Sequence, residues 1–78
     1  MKMTKGLKII QAGLREELTI AMSEHNEWIK SFITKQEQLG KEDIATIHAQ
    51  EMMKKYESYR HELAKLNLKI ESIIEEFE

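Results

Sequence analysis

Apolar residues recur at steps of three or four on both sides of Gly40. Toward the N-terminus the series is Phe32, Trp28, His25, Ala21, Leu18, Leu14, Ile10, Leu7 and Met3. Toward the C-terminus it is His48, Met52, Tyr56, Tyr59, Leu63, Leu66, Ile70, Ile73 and Phe77. Steps of three and four keep residues on one face of a helix. The two stripes mirror each other about the glycine, so a fold there closes them layer by layer. The pattern predicts an all-α chain, an antiparallel two-helix hairpin forming a single domain over residues 1–78. Its helices are expected over about 4–39 and about 42–78, with the turn near Gly40.

Local signals agree with these bounds. Thr4 is placed to cap the first helix. Gly40 follows the polar run Thr34–Gln38 as a residue that adopts positive φ without a Cβ penalty. Glu42 and Asp43 bring negative charge to the start of the second helix, where the macrodipole favours it. Helices of this length reach roughly 50 Å at 1.5 Å per residue. The stripe is not a pure heptad, because Leu7 to Leu18 and Ala45 to Tyr56 each span eleven residues. Such stutters relax left-handed supercoiling, which predicts a bundle rather than a regular coiled coil.

Several apolar residues fall outside the stripes. Ile9, Met22, Ile29 and Ile33 flank the first, and Ile44, Ile47, Met53, Leu68 and Ile74 flank the second. A hairpin has one interface and cannot cover both flanks. At 78 residues the chain is also short for a self-sufficient core, and without cysteine it has neither disulfides nor thiolate metal sites. The expected remedy is a homodimer, two hairpins forming a four-helix bundle. The predicted protein interface comprises Met22, Ile29, Ile33, Ile44, Ile47, Met53, Leu68 and Ile74.

Charge refines this picture. The net charge is -2, which does not suit a nucleic-acid binder. Residues 1–15 carry Lys2, Lys5, Lys8 and Arg15 and no acid, whereas residues 71–78 carry Glu71, Glu75, Glu76 and Glu78 and no base. A hairpin sets these two stretches side by side. No apolar run approaches the ~20 residues of a bilayer span, and the N-terminal stretch lacks a signal-peptide core. A cytoplasmic setting is expected, and membrane binding is reduced to a weak amphipathic option through Met3, Leu7, Ile10 and Leu14.

Candidate chemistry is sparse. His25 and His48 fall on the stripes, where a histidine reads as a hydrogen-bonded core residue or a packing specifier. One held neutral in a core would also oppose folding when protonated. His61 lies one turn from Glu57 as a surface pair. His48-x-x-Glu51 and Glu57-x-x-x-His61 each offer two ligands, but the stripes lack the inward carboxylates of a bundle metal site. Trp28, Tyr56 and Tyr59 have no basic residues interleaved on their face, so they read as core rather than as a base-stacking platform. The run Leu14-Arg15-Glu16-Glu17-Leu18 resembles the first helix of helical chorismate mutases over five residues. That resemblance would imply a cationic dicarboxylate pocket, and the stripes carry no cation. No catalytic residue, cofactor or metal is therefore expected. The chain reads as a non-enzymatic interaction module, a small regulator or adaptor that binds another protein. The alternative is a structural, self-assembling bundle.

Overall fold

The structure, a computed structural model, describes residues 4–78. Two helices, α1 (Lys5–Leu39) and α2 (Ile44–Phe77), pack against each other antiparallel in a rod 56 Å long. The hairpin expected from the mirrored stripes is observed. Met3, expected beside Phe77, lies outside the described residues.

The turn follows from three residues. Gly40 has φ 88° and ψ 167°, a region open to glycine alone, and its N–H donates to the Gln36 carbonyl at 3.1 Å. Asp43 is extended and caps α2, its Oδ1 accepting from the Ala45 N–H at 2.9 Å. Helix α2 therefore starts two residues later than charge alone suggests, because Asp43 acts as the cap rather than as part of the first turn. Thr4 precedes α1 but does not cap it. Its hydroxyl instead donates to Glu78 Oε2 at 2.9 Å, tying the two chain ends together.

The buried seam is displaced from the most apolar stripe. From Thr4, just before α1, the seam runs through Leu7, Gln11, Leu14, Leu18, Ala21, His25, Trp28, Phe32 and Lys35, with Ile29, Ser31 and Gln36 half-covered beside it. On α2 it runs through Thr46, Ala49, Met53, Tyr56, Arg60, Leu63, Asn67, Ile70 and Ile74, with Ala45, Gln50, Met52, Ala64 and Glu71 half-covered beside it. Both series alternate steps of three and four without a break, so the expected stutters are absent. Gln11 takes the place assigned to Ile10, which is 57% exposed. On α2, Ala49, Arg60, Asn67 and Ile74 replace His48, Tyr59, Leu66 and Ile73, and Met53 shares half-burial with Met52. Tyr59, Leu66, Ile73 and Phe77 are all exposed. The seam also carries cations, Arg60 and Lys35, where none was expected; the Lys35 amine is held by Ser31 Oγ on its own helix.

Candidate protein-interaction surface

Cross-helix bonds define the two flanks of this seam. On one flank Lys8 pairs with Glu78, and Arg15 Nη2 lies 3.4 Å from Glu71 Oε1. The basic stretch thus faces the acidic one, as expected. Lys8, and after it the Thr4 hydroxyl, hold the Glu78 carboxyl below its ordinary value. On the opposite flank the Tyr59 hydroxyl donates to Glu17 Oε1 at 3.1 Å. This hydrogen bond is the main reason the Tyr59 phenol is pushed above its ordinary value. On that flank too, Trp28 meets His48 edge-on, with ring centroids 5.5 Å apart and planes at 84°.

These pairs fix the register, and heptad steps carry it along the rod. The ion-pair flank presents Lys8, Arg15, Met22 and Ile29 on α1, one residue beyond Leu7, Leu14, Ala21 and Trp28. Ile33 lies beside this row. From α2 it presents Gln50, Glu57, Ala64, Glu71 and Glu78, with Ile47 and Leu68 beside them. The tyrosine flank presents Ile10, Glu17, Glu24 and Ser31 with Ile20 from α1. From α2 it presents Ala45, Met52, Tyr59, Leu66 and Ile73, an apolar row at seven-residue spacing. A shallow open depression of about 440 Å³ lies against this row, lined by Lys55, Tyr56, Ser58, Tyr59 and Glu62.

Five of the eight predicted interface residues, Met22, Ile29, Ile33, Ile47 and Leu68, gather on the ion-pair flank. Leu68 is the most exposed of them at 64%. Ile44 sits at the turn, 83% exposed. The remaining two belong elsewhere: Ile74 is 7% exposed and Met53 is half-buried, so the hairpin's own seam covers both. Sequence reasoning missed the tyrosine flank as a surface, because its residues were assigned to the core. It also missed the polar seam residues Gln11, Thr46 and Asn67. Strict three-four spacing carried outward from Ala21 and His25 would have found Gln11.

Among the described residues, four buried polar atoms have no partner: Gln11 Nε2, His25 Nδ1, Thr46 Oγ1 and Asn67 Oδ1. His25 is buried in the seam, whereas His48 and His61 are exposed. No group of three or more histidine, aspartate or glutamate side chains is arranged to hold a metal among the described residues. No helix there is long and apolar enough to cross a membrane. Comparison with protein families, characterised proteins and solved structures finds no match.

Proposed function

We propose that this protein is a non-enzymatic interaction module, a small helical regulator or adaptor. In this reading it self-associates as a homodimeric four-helix bundle and binds a further protein through the surface left over. A cytoplasmic setting belongs to the same proposal. One observation carries it: large apolar side chains line both flanks of a seam that is itself partly polar. Burying one Leu or Ile is worth roughly 1.5–3 kcal/mol, so five half-exposed residues on one flank rival the ~5–15 kcal/mol stability of a whole domain. Light scattering tests the dimer. A mass twice the 9.2 kDa of the chain is expected, and a well-folded monomer at micromolar concentration sinks the reading.

A second reading draws on the opposed placement of the two apolar flanks. If both are covered by copies of the chain, assembly continues past the dimer and the protein is a structural one. Its mark is a mass that keeps rising with concentration. The adaptor reading instead requires a dimer of fixed mass that captures one stoichiometric partner and loses it when Leu66 is changed to Glu.

A further inference from the structure

Resting on the bundle reading above, we infer that a second copy of this chain docks on the ion-pair flank, with both turns at the same end of the assembly. Three features of that flank point to this arrangement.

The first is its polarity. At the open end α1 is basic, with Lys5, Lys8 and Arg15, and α2 is acidic, with Glu71, Glu75 and Glu78. Toward the turn the same flank gains the apolar Ile29, Ile33 and Ile47, with Gln50 and Glu57 among them. A two-fold axis along the rod sets α1 of one copy against α2 of the other in the register already used within the hairpin. Lysines 5 and 8 then lie level with the second copy's Glu75 and Glu78, Ala12 with its Leu68, and Ile33 with its Ile47. Charge meets opposite charge at the open end and apolar meets apolar at Ala12 with Leu68 and at Ile33 with Ile47, whereas between them Met22 lies level with Glu57 and Ile29 with Gln50. A two-fold axis across the rod places the charged ends against the isoleucines of the turn end, leaving charges desolvated without partners.

The second feature is unspent charge. Lys8 and Arg15 already have acidic partners within the hairpin. Lys5 and Glu75 make no ion pair among the described residues, and both stand at the outer edge of this flank, where the second copy lies. The third feature is the set of orphaned polar atoms. Gln11, His25, Thr46 and Asn67 each sit one helical turn before a residue of the ion-pair flank: Arg15, Ile29, Gln50 and Glu71. The seam positions bordering the tyrosine flank hold no such atom. Gln11 offers an unused donor and Asn67, at nearly the same level, an unused acceptor. Both atoms are covered within the single hairpin, so the axial two-fold pairs Gln11 of each copy with Asn67 of the other only as the two amides turn outward on docking.

The test uses a spin label at Lys41→Cys, an exposed turn position in a chain without cysteine. Double electron–electron resonance on a sample of dimeric mass should give a distance well under half the 56 Å rod length. A distance near the full length overturns the pairing while leaving the four-helix bundle intact. Absent dipolar coupling with a monomeric mass overturns both. A charge swap then identifies the flank. Glu75→Lys should weaken dimerisation about tenfold at low salt, and adding Lys5→Glu should restore it, with helicity unchanged throughout. A dissociation constant indifferent to both changes rules the ion-pair flank out.

Discussion

Thr46 is 1% exposed and its hydroxyl finds no partner, so the hairpin holds a buried polar group of no evident benefit to α2. Valine has nearly the same shape without the hydroxyl. Thr46→Val should stabilise the fold by about 1 kcal/mol, read as a higher urea midpoint at unchanged slope. An unchanged or lower midpoint would mean that the hydroxyl is satisfied in solution. Tyr59 offers a second measurement at this scale. Its hydrogen bond to Glu17 favours the neutral phenol, so the folded pKa lies above the unfolded value of about 10. A raised value means that the contribution to stability is complete below that unfolded value. It is lost as pH rises through the folded one. Ultraviolet titration should therefore show Tyr59 ionising at higher pH in the native protein than in the denatured one. Glu17→Gln should bring the native midpoint down.

At the scale of the elements, the turn is the most localised determinant. A Cβ on Gly40 meets nothing within 4 Å, so any cost of Gly40→Ala comes from the backbone, at φ 88°. The expected loss is about 1–3 kcal/mol by chemical denaturation. Asp43→Ala should remove about 1 kcal/mol by uncapping α2. Both helices and this turn were legible in the sequence because spacing, the glycine and the acidic cap all agreed. The rotation of the helices about their own axes was only partly legible. Leu7, Leu14, Leu18, Ala21, His25, Trp28 and Phe32 were placed on the buried face of α1. On α2 the stripe was displaced toward its neighbours, giving Leu66 for Asn67 and Ile73 for Ile74. The physical reason is that apolar residues occupy flanks as well as seam. The greatest hydrophobicity then tracks the total apolar surface, whereas burial between two helices tracks the three-four spacing. A glutamine and an asparagine inside the seam pulled the two measures apart.

For the whole molecule, the flanks decide what the hairpin does in solution. Ile29 and Leu68 both lie off the seam on the ion-pair flank, so changing each to glutamate should leave α1 and α2 packed. The double variant is expected to keep its helical circular dichroism while its mass falls to 9.2 kDa, and the same change at Ile10 and Leu66 should leave the mass of the dimer alone. The reverse result would assign self-association to the tyrosine flank. The single turn at Gly40 also has a kinetic consequence. Closing the layer of Phe32 and Ala49 first encloses a short loop, whereas meeting first at Leu7 and Ile74 encloses nearly the entire chain. Loop-closure entropy rises with that length, so the rod should zip from the glycine outward and open from the other end. Amide exchange should then run as a gradient, slowest around Trp28 and Met53 and fastest toward Lys8 and Glu78. The ends tied by the Thr4 hydroxyl and the Lys8 ammonium are the last to close and the first to part, so their charges act as a latch on a zipper rather than as its starting point.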